Sequence, residues 1–289
     1  MHLGSLYTAT GAYLDARAHR GLFRVRIDDL DRPRERPGAA DRILRTLDAF
    51  GFEWDGPILR QSARSDAHER ALATLRTLER LYACDCSRRE RALGDGAYPG
   101  TCRSRRDPIR RPHALRVRVD PVDVGIDDRI QGSFRRNLAA TGDFIVRRRD
   151  GIVAYPLAVV VDDAVIGVTD VVRGADLLDS TPAQRFLQDL LSLPPPRYAH
   201  LPVLTEADGG KLAKSRRSVP LDDRSAGRQL AAVYDWLGLG PPTELADAHV
   251  AEIWTWGIAH WDARRVPRRP SLALPTPAGG LPAPPPLPG

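Results

Sequence analysis

Leu22-Phe23-Arg24-Val25-Arg26-Ile27-Asp28-Asp29-Leu30-Asp31 alternates like a strand as far as Ile27 and then breaks on a cluster of carboxylates. Before it, from about Ser5 to His19, Leu6, Ala9, Tyr13, Leu14 and Ala16 recur at helical spacing, and the pattern stops before Gly21. A helix feeding a buried strand with acidic residues at its carboxyl end is what an open α/β nucleotide fold sets beside its ligand crevice. The reading is an α/β fold whose first helix has no strand before it in the sequence.

Outward from that stretch, periodicity predicts helices over 39–50 and 66–81, the second striped by Leu72, Leu75 and Leu78. Residues 84–112 are rich in cysteine, glycine and arginine, His113 to Asp120 alternates as a strand, and 143–172 is dense in β-branched residues. Ser180-Thr181-Pro182 predicts a cap and a first-turn proline for a helix through Leu193. Two more helices are expected over 226–237 and 246–261, with Trp254, Trp256 and Trp261 as packing residues rather than a stacking platform. Pro267 to Gly289 is proline- and glycine-rich and is expected to be disordered.

No apolar run approaches the roughly 18 residues of a membrane span, and no charged-then-apolar leader opens the chain, so a cytoplasmic protein without membrane partners is expected. Three cysteines between residues 84 and 102 are an odd number for a disulfide scaffold and point to a metal or to free thiols. A net charge of +6 favours polyanionic partners, and the arginines at 103, 105, 106, 110, 111 and 147–149 suit phosphates or a solvated surface equally.

Of 43 Lys+Arg residues only Lys211 and Lys214 are lysine, and both lie in Lys211-Leu212-Ala213-Lys214-Ser215 after Gly209-Gly210. Lysine kept where arginine is otherwise universal marks a place for a compact, mobile ammonium, either handling phosphate or on a plain surface loop. His2-Leu3-Gly4-Ser5 is its companion, a histidine and a glycine at a helix start where backbone and nucleotide can approach closely.

These pieces, in this order, resemble the class I aminoacyl-tRNA synthetases of the glutamyl type, from His2 to about Pro220. His2-Leu3-Gly4-Ser5 is similar to that family's HIGH signature, Arg26 to Asp31 to its strand-end acidic motif, and Lys211 to Ser215 to its KMSKS loop. Tyr155 to Asp163 and Val168 to Leu177 extend the resemblance. The segment after Pro220 is too short and too proline-rich for a long helical anticodon-binding region, so the chain looks most like the short paralogues that load glutamate onto queuosine in tRNA(Asp).

The resemblance implies a Rossmann-like catalytic domain with a zinc-binding insertion. Residues 1–83 and 143–220 would be its two halves, 84–142 the zinc-bearing insertion and connective region, 221–266 a short helical region and 267–289 the tail. It implies activation of L-glutamate by ATP without tRNA, with His2, Lys211 and Lys214 catalytic and, with Gly4, binding ATP, and with Mg²⁺ sharing the charge. Glutamate would be held by Asp28, by Tyr155 and by Arg173, whose fork can donate two parallel hydrogen bonds to a carboxylate. On their own residues, Tyr155 could also be a buried aromatic and Asp28 a turn cap. One structural Zn²⁺ would be held by Cys84, Cys86 and Cys102, with Tyr98 or the chemically more ordinary His113 in the fourth place. The anticodon loop of tRNA(Asp) would meet the catalytic domain itself.

Two departures accompany the match: Asp28 stands where many relatives carry glutamate, and Ala213 replaces the first serine of the lysine motif. In the family a strand and turn bearing arginine, serine and proline precede the histidine. The resemblance therefore implies a central sheet lacking its first strand and a start codon upstream of Met1. Two rivals are kept: another small-acid adenylating nucleotidyl transferase, which would give no stable tRNA product, and a non-catalytic RNA-binding remnant, which would bind tRNA without pyrophosphate exchange.

Overall fold

The computed structural model of the chain describes residues 1–87, 98–105, 107, 109–205 and 221–274. Lys211, Lys214 and the rest of their loop lie outside the described residues, as does the chain from 275 onward.

Helix α1 (Leu3–Ala18) starts where the His2 imidazole accepts the Ser5 N–H, and strand β1 (Arg26–Ile27) comes after it. The alternation begun at Leu22 yields two ladder residues, and among the described residues β1 pairs only with β2. The stretch before it is tied by both side chain and backbone: Asp55 Oδ2 accepts the Phe23 N–H at 2.8 Å and an Arg17 N–H at 2.7 Å, while Phe23 O and Val25 O accept the Asp55 and Leu59 N–H groups at 2.8 and 3.2 Å. After α2 (Ala39–Ala49), β2 (Leu59–Arg60) pairs parallel to β1. Helix α3 (Ser65–Thr77) stops short of the predicted end: Glu79 takes a φ of +55°, and Leu81 already belongs to β3 (Leu81–Cys84).

Strands β4 (Ala114–Val117), β5 (Asp123–Asp128) and β6 (Gly132–Asn137) lead to the one-turn helix α4 (Leu138–Thr141) and to β7 (Ile145–Arg147). Strands β3, β4 and β7 form a small antiparallel sheet. The β-branched run then folds as helix α5 (Tyr155–Val165), not as a strand. Pro156 suits its first turn, and Leu157 to Asp162 are all buried, so tertiary packing outweighs the modest helix cost of three valines. Strand β8 (Asp170–Gly174), helix α6 (Thr181–Leu190), β9 (Arg197–Leu201) and β10 (Val203–Thr205) complete this half. Ser180 does not cap α6 as expected: it is already in helical geometry at the end of a 3₁₀ turn from Ala175, and its side chain makes no capping bond.

The main sheet runs β6-β5-β9-β8, with β5, β9 and β8 parallel and β6 antiparallel. Among the described residues β8 pairs only with β9 and β1 only with β2, so these parallel strands stand in two separate groups. Where an unbroken open sheet would carry a strand between them, there is a cleft.

Helices α7 (Ala226–Trp236) and α8 (Val250–His260) pack on α1 and α2 in one core with Phe50, Tyr234 and Trp254. A second core joins α3, α5 and α6 to the sheet. Trp254 and Trp261 are buried and donate to Phe50 O and Asp15 Oδ1, as packing residues should. Within the stretch expected to be disordered, residues 267–274 are ordered instead: β11 (Ser271–Ala273) pairs parallel to β10, and Val203 N–H donates to Pro270 O, while 275–289 lie outside the described residues. A free strand edge recruited these residues despite their composition.

Candidate active site and metal centre

The cleft between the two strand groups encloses about 640 Å³. One wall is Gly21 to Arg24 with Arg26 and Asp28, the other Ile166 to Arg173, and α1 and α5 supply Ala12, Asp15, Tyr155, Val159 and Asp163. On α5 the spacing Tyr155, Val159, Asp163 keeps one face toward the cavity. The three residues expected to hold glutamate, Asp28, Tyr155 and Arg173, therefore share one cavity.

Arg173, at the end of β8, is almost wholly committed. Its Nε donates to His200 Nε2 at 3.0 Å, and its Nη2 to Thr181 Oγ at 2.9 Å and Gln184 Oε1 at 2.6 Å. Only Nη1 is left toward the cleft, 3.4 Å from the Tyr155 hydroxyl. This corrects the expected two-pronged grip, since either parallel pair of N–H groups on a guanidinium uses Nη2.

Arg26 and Asp163 complete the polar lining and were given no role in the sequence reading. Arg26 Nε donates to Asp28 Oδ1 at 2.7 Å, and its Nη1 pairs with Asp163. Burial pushes the Asp163 carboxyl up, opposed by Arg26, while Asp163 and Asp28 hold the guanidinium of Arg26 firmly charged against its own burial. Asp163 had a legible signal, lying eight residues after Tyr155 on one helix face; Arg26 had none, because it is a tertiary contact, its ion pair with Asp163, that brings it there.

His2 and Gly4 are not among the residues lining this cleft. The imidazole folds back on the first turn of α1: Nδ1 accepts the Ser5 N–H at 3.3 Å and Nε2 lies 2.9 Å from Ser5 Oγ. A Cβ on residue 4 would come within 3.3 Å of the ring, so glycine leaves it room. Burial, with the chain-terminal ammonium beside it, lowers the His2 pKa and favours the neutral ring.

In the small sheet region, Cys84, Cys86 and Cys102 bring their sulfurs within 4.8 Å of one another. Cys86 Sγ and Cys102 Sγ are 3.4 Å apart, and the Tyr98 hydroxyl lies 3.3 Å from Cys84 Sγ and 3.4 Å from Cys86 Sγ. Zn–S bonds of about 2.3 Å and Zn–O near 2.0 Å in a tetrahedron give edges of roughly 3.5–3.8 Å, so four donors sit where one ion fits. Burial would raise the Cys84 thiol, but hydrogen bonds from Tyr98, the Cys86 N–H and Arg116 win and bring it down to about 7, whereas burial and the neighbouring sulfurs push the Cys86 thiol up to about 11. His113 is half-buried, bonds the Arg111 carbonyl and is outside this group.

Residues 1–227 match the model of the tRNA synthetases class I (E and Q), catalytic domain. The chain belongs to that family. It is thus a member of a family of ligases, and two curated relatives share its length. A glutamyl-Q tRNA(Asp) synthetase from Ectopseudomonas mendocina is 53% identical over 94% of this chain and 93% of its own. One from Pseudomonas aeruginosa is 50% identical over 94% and 93%. Among solved structures, a glutamate-tRNA synthetase from Elizabethkingia anophelis superposes with a TM-score of 0.78 at 23% identity, a likeness of fold. It covers 93% of this chain but only 64% of that one, so the chain spans just under two thirds of the solved synthetase.

Within this synthetase family member, the structure groups Asp28, Tyr155 and Arg173 at the cleft and Cys84, Cys86, Tyr98 and Cys102 at the metal centre. Among the described residues, no helix is long and apolar enough to cross a membrane.

Proposed function

We propose that the chain activates L-glutamate with ATP in the absence of tRNA and transfers the glutamyl group to queuosine in the anticodon loop of tRNA(Asp). The observation that carries the glutamate reading is that one cleft holds Arg173 Nη1 and the Tyr155 hydroxyl together with the carboxylates of Asp28 and Asp163, which flank Arg26. An amino acid with a second carboxylate is complementary to it, one carboxylate meeting Nη1 and the α-ammonium meeting Asp28. The names of the half-identical relatives support the acceptor.

In the first step an oxygen of the α-carboxylate attacks the α-phosphorus of ATP, the bond to the β-phosphate oxygen breaks, and pyrophosphate leaves. The residues contribute position and charge. Lys211, Lys214 and His2, with the amino end of α1, are the groups assigned to the phosphates. Mg²⁺ bound with ATP would share the negative charge, and Zn²⁺ on Cys84, Cys86, Cys102 and Tyr98 would brace the insertion. In the second step a hydroxyl of the queuosine ring attacks the activated carbonyl, and AMP leaves. The work is assigned to the cytoplasm.

Glutamate-dependent ATP–pyrophosphate exchange without tRNA tests the first step, and transfer of labelled glutamate to tRNA(Asp) with and without queuosine tests the second. Exchange with glutamate and transfer only to the queuosine form are the expected results. Exchange without transfer would favour a different small-acid adenylating enzyme, and salt-sensitive tRNA binding without exchange would favour the RNA-binding remnant.

A further inference from the structure

Behind Arg173 lies a buried chain of polar groups that the activation chemistry does not use. His200 on β9 and Asp128 at the end of β5 are both enclosed, and His200 Nδ1 lies 2.5 Å from Asp128 Oδ2. On its other side His200 Nε2 faces Arg173 Nε at 3.0 Å and Thr181 Oγ at 3.2 Å. An arginine nitrogen can only donate, so Nε2 must present its lone pair and the ring proton must sit on Nδ1. Asp128 enforces this. Its Oδ1 accepts the N–H groups of Ile130 at 3.0 Å, Gln131 at 2.7 Å and His200 itself at 3.1 Å, which leaves Oδ2 for the imidazole. Burial raises the Asp128 carboxyl, but these bonds outweigh it and hold the group ionised.

Resting on the glutamate reading above, we infer that Asp128 and His200 are positioning residues for substrate. The carboxylate fixes the imidazole tautomer, the tautomer accepts from Arg173 Nε, and Thr181 and Gln184 take both N–H groups of Nη2. The guanidinium then has one orientation, with Nη1 toward the cleft and Tyr155. Orientation by a carboxylate through a histidine is physically the same device that sets the tautomer in hydrolytic triads, here aimed at a binding group instead of a nucleophile. The relay is also the reason a guanidinium can sit buried at this strand end: each of its inward N–H groups has an acceptor.

Asp128→Asn tests this with almost no change of shape. The amide oxygen would take the three backbone N–H groups, so the amide NH₂ would face His200 Nδ1 and drive the proton to Nε2. There it would meet the Arg173 Nε–H donor to donor. The expected result is an Nδ1–H imidazole in ¹⁵N spectra of the wild type and Nε2–H in the variant. Glutamate KM in pyrophosphate exchange should rise about tenfold or more while ATP KM stays within about twofold, a loss of roughly one buried hydrogen bond to a charged group. His200→Gln, whose amide oxygen can reach Arg173 Nε, should keep glutamate KM closer to wild type than His200→Leu, and this pair decides the matter if Asp128→Asn fails to fold. An inverted tautomer with unchanged glutamate KM, or equal effects of Gln and Leu, would overturn the inference alone. A wild-type chain that exchanges nothing with glutamate would overturn the functional reading and the inference with it.

Discussion

At Arg26 two carboxylates converge on one guanidinium at the mouth of the cleft, and neither can be removed from the other's balance. Asp163 is largely enclosed and already pushed up by burial, so Arg26 is what keeps it charged. Arg26→Met should cost about 3 kcal/mol in urea unfolding, because it strands a buried carboxylate. Tyr155→Phe should leave the fold intact and raise glutamate KM about tenfold, since the hydroxyl is the partner of the single free edge of Arg173. Residue identity at this scale was legible for Asp28, Tyr155 and Arg173, which match a motif. The committed state of Arg173 was not, because Thr181, Gln184 and His200 reach it from other elements and carry no mark of that in the sequence.

At the scale of elements, the small antiparallel sheet holds a polar pin beside the cysteine cluster. Asp143 is buried and accepts from Arg103, from the Tyr82 hydroxyl and from the Val119 N–H at 2.9 Å. Burial raises its pKa, but these donors outweigh it and the native carboxyl is depressed. A depressed native pKa adds stability that is fully present above the unfolded value of about 4 and is lost as pH falls through the native one. Melting temperature should therefore drop in acid below about pH 4, and Asp143→Asn should flatten that drop while lowering stability at pH 7. Cys102→Ser should reduce zinc in the purified protein below about half an equivalent and destabilise this sheet, read by metal analysis and melting together. Between α7 and α8 the contact is closer still: a Cβ on Gly257 would lie 2.4 Å from the Tyr234 hydroxyl oxygen. Gly257→Ala should cost about 1–3 kcal/mol by overpacking, measured by chemical denaturation.

Across the whole molecule, two groups of parallel strands carry the two walls of one cleft, and the small sheet hangs beside it with its thiols gathered. If RNA is the partner, affinity for tRNA should fall by at least about tenfold between low and physiological salt, since phosphates would be met by exposed arginines. Much of this arrangement was written locally. The helix before Gly21, the acid-ended strand and the cysteine spacing can be read without coordinates, because periodicity and motif are properties of neighbours in the chain. Tertiary structure alone decided the rest. It made a helix of the valine run 159–161 because burial surrounds it, drew residues 271–273 into a strand because β10 had an open edge, and left Arg173 one free edge because three distant side chains occupy the others. Each of these depends on which surfaces meet in space, and a linear pattern holds no record of that.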